Sequence, residues 1–193
     1  MGKIILASAS PRRQEILNQM GIEYDIMPQD VDESFKGLPP ADEAAGIAVK
    51  KVNSCLNSLD SSSDPWILGA DTFVVLGEEY LGKPSNRSEA GKMLQMLSGQ
   101  THQVITGLAL NVPAQGIKTA SCFTDVTFSP MSESEIQWYL NQNEWLGVAA
   151  SYRIQEKGAL FVSSVRGSYS NVMGLPINAF YGMLVSHKFN FRT

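Results

Sequence analysis

The spacing of apolar and polar residues predicts a chain of alternating strands and helices. A short apolar run at 3–7 predicts a buried strand. Ser10 followed by Pro11 predicts the start of a helix, with Ser10 as the N-cap and proline at the first helical position. Apolar residues three and four positions apart predict a second helix over 41–57. The apolar run at 66–76 then predicts a strand that a polar pair interrupts.

The second half of the chain carries helix-start signals and a hairpin. Asn86 with Glu89 has the spacing of a capping box, and Ser132 with Glu135 repeats it. Two β-like runs between 103 and 129 flank a turn and predict a hairpin. Because a purely parallel doubly wound sheet contains no hairpin, the pattern predicts a mixed α/β fold.

Two further segments complete the pattern toward the C-terminus. Residues 152–165 predict another strand or strand pair. Pro176 opens the last predicted helix. The buried stripe predicted for that helix is Ile177, Phe180, Tyr181, Leu184 and Val185.

Length and composition limit the class of protein. The chain has 193 residues, of which 44% are hydrophobic and 18% charged, which is ordinary for one globular domain, 1–193, with one or two lobes. The net charge of −4 excludes the basic surface that binds nucleic acid non-specifically. Its apolar stretches are too short for a membrane span, the opening residues lack a secretory signal, and the two cysteines lie far apart. We therefore expect a cytoplasmic protein.

Arg12 and Arg13 are unusual residues for the first turn of a helix. Two cations there oppose the helix dipole, each at a cost of about 0.3–1 kcal/mol. An anion bound at the helix start would offset this cost, since free N–H groups, serine hydroxyls and guanidinium groups meet there. The alternative is that both arginines pair with acidic residues elsewhere on the protein.

Asp71 interrupts the apolar run at 66–76 and admits two interpretations. A carboxylate near the end of a core strand is partly desolvated, as catalytic and metal-binding acids are. Asp71-Thr72 also suits a turn or a cap. Lys83 lies in a short loop between glycine and proline, and Glu33 lies in the proline-rich loop at 28–40. Neither of these two residues indicates a site by itself.

The common nucleotide-binding and hydrolase motifs are absent from the sequence. It contains no phosphate-binding P-loop pattern, no Gly-x-Gly-x-x-Gly and no Gly-x-Ser-x-Gly. Its two histidines, His102 and His187, have no metal-pair spacing, and His102 is better explained by a local hydrogen bond.

Six sequence blocks nevertheless occur in a familiar order over nearly the whole chain. Together they resemble the Maf family of nucleoside triphosphate pyrophosphatases, and six blocks in order are not explained by chance. The blocks are Leu6–Leu17, Gly69–Thr72, Leu81–Pro84, Leu97–Gly99 with His102 and Thr106-Gly107, Tyr152–Gln155, and Ser168–Val172 with Gly174–Pro176.

The resemblance implies a fold and a reaction. The fold would be like that of inosine triphosphatase, with two lobes around a long mixed β-sheet and the site in a central cleft. The reaction would cleave a nucleoside triphosphate between the α- and β-phosphates, releasing the monophosphate and pyrophosphate. The resemblance also suggests a homodimer. No nucleic-acid or membrane partner is expected.

The resemblance also implies roles for individual residues. Asp71 would be the proton acceptor, and Asp71 and Glu33 would hold a divalent cation, Mg²⁺ with Mn²⁺ and Co²⁺ as alternatives. Nucleotide preference would depend on Arg12, Thr72 and Gln155. The residues around the phosphates and metal would be Ser8, Ser10, Arg13, Glu33, Lys51 and Lys83.

The details point to the branch of the family that prefers dTTP and UTP. Ala-Asp-Thr at 70–72 and Ile-Gln at 154–155 resemble that branch. Three residues depart from the family pattern: Val148 replaces a lysine, Ala150 replaces a glycine, and Glu156 replaces the glycine after Ile-Gln. Two alternatives stay open, a 7-methyl-GTP pyrophosphatase and a nucleotide-binding regulator of septum formation.

Overall fold

The computed structural model of the protein describes residues 2–60 and 62–191. Within these residues none of the helices is both long and apolar enough to cross a membrane. The strands are β1 Ile4–Leu6, β2 Tyr24–Ile26, β3 Trp66–Leu76, β4 Glu79–Tyr80, β5 Thr101–Val112, β6 Gly116–Phe128 and β7 Val162–Arg166. The α-helices are α1 Pro11–Gln19, α2 Pro40–Asn57, α3 Arg87–Leu97, α4 Glu133–Leu140, α5 Tyr169–Val172 and α6 Ile177–Ser186. Two 3₁₀-helices cover Ala149–Ser151 and Lys157–Phe161.

The strands form one mixed sheet in the order β2-β1-β3-β5-β6-β7, and β4 pairs with β3. Strand β1 is parallel to both of its neighbours, with Ile5 opposite Asp25 and Ile67. Strands β6 and β7 are antiparallel, and β5 and β6 form the predicted hairpin. The predicted mixed α/β fold is therefore confirmed.

The chain forms two compact units. The first contains Met1–Asp71, Thr106–Cys122 and Gly174–Thr193, and the second contains Thr72–Ile105 and Phe123–Met173. In the first unit, helix α2 packs on strands β1, β3 and β5 through small and β-branched side chains. This cluster consists of Ala7, Ala48, Val52, Cys55, Ile67 and Ala109.

The first helix begins as predicted, but its cap differs. Proline occupies the first helical position, and Ser10 is the N-cap residue. The Ser10 side chain makes no capping hydrogen bond; instead the Ser10 N–H donates to Ser8 Oγ at 3.2 Å. Ser10 is therefore the N-cap by position, as predicted, but its hydroxyl does not cap the helix. After the helix, Gly21 has a φ of 65°, which ends it in the left-handed region.

Residues 152–165 were predicted to form a strand or strand pair. This prediction is wrong except at the end of the range, where β7 begins. The 3₁₀-helix Lys157–Phe161 lies in the middle of this region, and only β7 is extended. A Cβ at Gly158 would lie 2.5 Å from the Arg153 carbonyl oxygen, so the chain folds tightly back on itself there. The Arg153 N–H donates to the Tyr139 hydroxyl at 3.1 Å rather than to a strand.

The helix-start signals were accurate in most cases. Ser132 and Glu135 form a full capping box on α4. Asn86 caps α3, but the Glu89 carboxylate accepts from Ser85 instead of completing the box. In α6 the buried residues are Phe180, Met183 and Leu184, whereas Tyr181 and Val185 are exposed and Ile177 is half-buried.

A histidine lies inside the aromatic core of the second unit. His102 is 1% exposed and contacts the ring edges of Phe128 and Tyr152. Its Nε2 is 2.8 Å from the Tyr152 hydroxyl, as expected for a local hydrogen bond, and Nδ1 has no partner among the described residues. Burial lowers the pKa of His102 to about 4.

Protonation of His102 should make folding depend on pH. The unfolded histidine binds a proton below pH 6.5, whereas the buried imidazole stays neutral down to about pH 4. Its neutral state therefore favours folding above pH 6.5. As the pH falls from 6.5 to 4, the free energy of unfolding should decrease by about 3 kcal/mol. Chemical denaturation at several pH values gives the free energy of unfolding. In His102→Gln this free energy should depend less on pH than in wild type, whereas the control His187→Gln should keep the wild-type dependence. Equal slopes in all three proteins would contradict the expectation.

Candidate active site

Two glycines let helix α2 lie directly on the sheet. A Cβ at Gly69 of β3 would overlap the Ala48 carbonyl oxygen, and a Cβ at Gly107 of β5 would overlap the backbone of Ala44 and Ala45. The helix backbone therefore contacts the strand backbones with no side chain between them. This close approach sets the distance from the side chains of α2 to those of β3.

Lys51 of α2 lies at the centre of a charged cluster. It is 4% exposed, and its Nζ donates to Asp71 Oδ1 at 2.8 Å and to the Ala70 carbonyl oxygen at 3.3 Å. Its third contact is a salt bridge of 2.6 Å to Glu33 Oε1. An ammonium group has three protons, so these three acceptors satisfy it inside the protein.

Asp71 lies in the middle of β3 rather than near its end. It is the sixth of the eleven strand residues, and the strand continues through Asp71 and Thr72. Both predictions for this residue, a strand end and a turn or cap, are therefore wrong in position. The strand tolerates the carboxylate because Lys51 neutralises it. Asp71 is only 8% exposed, so the predicted desolvation is confirmed.

Arg13 joins the same cluster from the first turn of α1. Its Nε donates to the Gly174 carbonyl oxygen at 2.8 Å, and its Nη1 donates to Ser8 Oγ at 2.9 Å. Burial lowers the pKa of Arg13, and the negative charges of Asp71 and Glu33 oppose that shift. These acids therefore offset the unfavourable placement of Arg13 at the start of a helix.

Glu33 reaches the cluster from the loop between β2 and α2. This loop was predicted, and its residues are largely exposed. The Glu33 side chain is 39% exposed, yet it bonds to the buried Lys51. The structure thus brings together Ser8, Arg13, Glu33, Lys51 and Asp71, which the sequence places in four separate segments.

The remaining predicted residues have different surroundings. Ser10 and Arg12 are half-buried at the start of α1, next to the cluster in sequence. Thr72, Lys83 and Gln155 belong to the second unit. Since successive strand residues alternate between faces, Thr72 points to the face opposite Asp71. Lys83 is exposed after β4, and Gln155 is half-buried in the turn before Lys157–Phe161.

The charged cluster contains two carboxylates, a ligand type that hard divalent cations prefer. Glu33 and Asp71 each place an oxygen against the same ammonium group, so the two carboxylates face a common point. Mg²⁺ is commonly held by one or two carboxylates together with phosphate oxygens and water. Within 2–60 and 62–191 no group of three or more His, Cys, Asp and Glu could hold a metal. Glu33 and Asp71 are therefore the residues of this cluster that could hold a cation, together with ligands from outside the protein.

The three departures from the family pattern have local explanations. Glu156 forms a salt bridge of 3.3 Å with Arg153, whose Nε donates to the Glu144 carbonyl oxygen. Val148 is buried in the hydrophobic core. Ala150 has a φ of 55°, in the left-handed region that glycine adopts at no cost, and its N–H donates to the Gly82 carbonyl oxygen at 3.0 Å.

Glu43 is a buried acid that was not among the residues predicted for the site. Glu43 is 4% exposed on α2 and lies on the helix face that also carries Ala44, Ile47 and Lys51. Charged residues on an apolar stripe are a recognisable signal, since buried charges require partners. Glu43 and Lys51 both interrupt that stripe.

Solved structures of low sequence identity share this fold. The Ham1 protein of Staphylococcus aureus aligns with 95% of this chain and 98% of its own, with a TM-score of 0.55 and 13% identity. A HAM1 protein from Coxiella burnetii aligns with 96% and 100%, with a TM-score of 0.53 and 15% identity. These similarities confirm the predicted inosine triphosphatase-like α/β class with a mixed sheet.

Sequence comparison then identifies the family. The Maf-like protein family matches residues 3–187, so the chain belongs to the Maf family, as its six blocks predicted. A dTTP/UTP pyrophosphatase of Bacillus anthracis is 42% identical over 181 residues, which are 92% of each chain. A dTTP/UTP pyrophosphatase of Bacillus cereus strain G9842 is 43% identical over 178 residues, which are 92% of this chain and 91% of its own.

A methyl group at Gly69 should separate the helix from the strand and weaken the cluster. Gly69→Ala should lower the melting temperature by several degrees, because the Ala48 carbonyl oxygen must move. Gly46→Ala is the matched control on α2, since a Cβ at Gly46 meets nothing within 4 Å. That control should stabilise the helix by about 1 kcal/mol. Equal melting temperatures for Gly69→Ala and wild type would contradict the close-packing argument.

Proposed function

We propose that the protein is a nucleoside triphosphate pyrophosphatase that hydrolyses dTTP and UTP to the monophosphate and pyrophosphate. The observation that carries the proposal is the buried Lys51, salt-bridged to both Asp71 and Glu33, with Arg13 beside them. The names of its relatives in Bacillus anthracis and Bacillus cereus support the choice of substrate.

The cations of the cluster suit a triphosphate. Such a substrate carries about four negative charges, and its hydrolysis depends on positioning and charge neutralisation. Arg13 is fixed by Ser8 and Gly174, so its guanidinium group is already oriented before substrate binds. Lys51 is likewise fixed by its acceptors. Arg12 and Lys83 would supply further positive charge.

Glu33 and Asp71 would hold a divalent cation, Mg²⁺ in the simplest case. When bound, the cation would neutralise phosphate charge and polarise the oxygens it contacts. The carboxylates are suited to this role because they are hard oxygen donors that face a common point.

Asp71 would hold and deprotonate the attacking water. Its carboxylate is buried in a rigid strand, so the accepting oxygen keeps a fixed position. Lys51 donates to Oδ1 and thereby orients the carboxylate, leaving Oδ2 as the oxygen suited to accept the proton. The water oxygen would bond to the α-phosphorus while its proton passes to Asp71. The bond from the α-phosphorus to the bridging oxygen would break, and pyrophosphate would leave.

Gln155 would select the pyrimidine base. A primary amide donates and accepts at once, which matches the alternating O4, N3–H and O2 edge of thymine and uracil. A base with a different edge leaves polar groups unpaired, at a cost of about 1–3 kcal/mol for each. Glu156 pairs with Arg153, which offsets the negative charge that this residue adds beside Gln155.

Removal of the proposed base should abolish turnover. Asp71→Asn preserves the shape of the side chain but removes the proton acceptor, so kcat should fall by about 10²–10⁴-fold. Pyrophosphate release from dTTP with Mg²⁺ gives the rate, and isothermal titration gives nucleotide affinity, which should persist. Asp125→Asn is the control, because this strand aspartate pairs with Arg166 outside the cluster. Wild-type rates for Asp71→Asn would remove Asp71 from the mechanism.

Substrate preference can be measured with a panel of nucleotides. We expect kcat/KM to be highest for dTTP and UTP when they are compared with ATP, GTP and 7-methyl-GTP. Gln155→Leu should reduce the preference by about tenfold or more, because the pocket then lacks polar partners for the base. Glu156→Gly should leave the preference unchanged, since the carboxylate is engaged by Arg153. A tenfold advantage of 7-methyl-GTP or a purine nucleotide would contradict the pyrimidine assignment.

A further inference from the structure

The loop that carries Glu33 needs an anchor. Glu33 belongs to an exposed segment without regular secondary structure, between β2 and α2. Its salt bridge to Lys51 fixes only one point of that segment. A carboxylate on such a loop keeps a fixed position only if neighbouring backbone groups are also held.

Glu43 supplies that anchor. It lies in the first turn of α2 and is 4% exposed. Its Oε2 accepts the backbone N–H of Lys36 at 3.1 Å and that of Leu38 at 3.3 Å. A buried carboxylate that accepts backbone N–H groups forms charge-assisted hydrogen bonds, which are stronger than neutral ones.

The contacts of Asp32 join residues of the loop to one another and not to the core. Asp32 accepts the N–H of Ser34 at 3.0 Å and forms a salt bridge of 2.8 Å with Lys36. Both side chains of that salt bridge are more than half exposed, so water competes with it. Glu43, by contrast, is buried and links two backbone groups of the loop directly to helix α2.

Glu43 and Lys51 hold the loop from one rigid element. They are eight residues apart on α2, which is about 12 Å along the helix axis. Gly107 lets the helix backbone at Ala44 and Ala45, directly after Glu43, rest on β5. The position of Glu43 is therefore fixed by the sheet, as the position of Lys51 is.

We propose that Glu43 is a positioning residue that holds the 32–38 loop by the N–H groups of Lys36 and Leu38, so that the Glu33 carboxylate stays at the metal and phosphate site. The role assigned to Glu33 rests on the proposed function. The anchoring of the loop does not, because it follows from the hydrogen bonds alone. Glu43 acts through Glu33 and contacts no substrate.

The first test measures the loop without nucleotide or metal. Hydrogen exchange followed by mass spectrometry should show exchange of the Lys36 and Leu38 amides at least about tenfold faster in Glu43→Ala. Asp42→Ala is the matched control. It removes an acid from the same first turn of α2, so it changes the interaction with the helix dipole to a similar extent. It should leave those amides protected as in wild type. Equal exchange in wild type and Glu43→Ala would overturn the proposal.

The second test separates positioning from general stability. Glu43→Gln keeps an acceptor oxygen, so the Lys36 and Leu38 amides should retain most of their protection from exchange. This variant can also be measured if Glu43→Ala does not fold. Titration with Mn²⁺ should show weaker binding in Glu43→Ala by about tenfold, and no additional loss when Glu43→Ala is combined with Glu33→Ala. Additive losses in the double variant would show that Glu43 acts independently of Glu33 and would overturn the proposal.

The two tests also distinguish failure of the proposal from failure of the proposed function. If the loop amides lose protection but no nucleotide is hydrolysed, the anchoring is correct and the assigned reaction is wrong. If nucleotides are hydrolysed but the amides keep their protection, Glu43 has no positioning role.

Discussion

A buried ammonium ion must keep its hydrogen bonds, and this requirement organises the first unit of the protein. Lys51 has left water almost completely, which is costly unless opposite charges surround it. Asp71 from a strand and Glu33 from a loop provide them. The helix must lie close enough to the strand for this contact, and the glycine at position 69 makes that approach possible. The structural and the chemical roles of these residues are therefore inseparable.

Much of the fold could be predicted because its signals are local. Helix α2, the capping box of α4 and the β5–β6 hairpin follow from apolar spacing and turn residues, and the structure has all three. The region at 152–165 could not be predicted in this way. Its shape depends on Tyr139, distant in sequence, which accepts the Arg153 N–H, and on the close packing of Gly158.

The candidate site was predictable as a set of residues but not as a geometry. Arg13 and Asp71 lie in the motifs of the family resemblance, and the resemblance implied Lys51 as well. It did not show that Asp71 lies in the middle of a strand, because an interrupted apolar run looks the same whether the acid is paired or solvated. Nor did it show the contacts of Glu43: the apolar stripe of α2 marks this residue as a buried acid, but its partners are backbone N–H groups, which the sequence does not reveal.

Ala150 has a left-handed backbone conformation although it is not glycine, the residue that best suits this conformation. Glycine adopts this conformation without steric cost. At Ala150 the backbone N–H donates to the Gly82 carbonyl oxygen, next to Lys83 in the sequence. The turn is therefore held by its surroundings rather than by the residue within it. A motif search that demands glycine here would reject this chain, whereas a comparison of backbone angles would retain it.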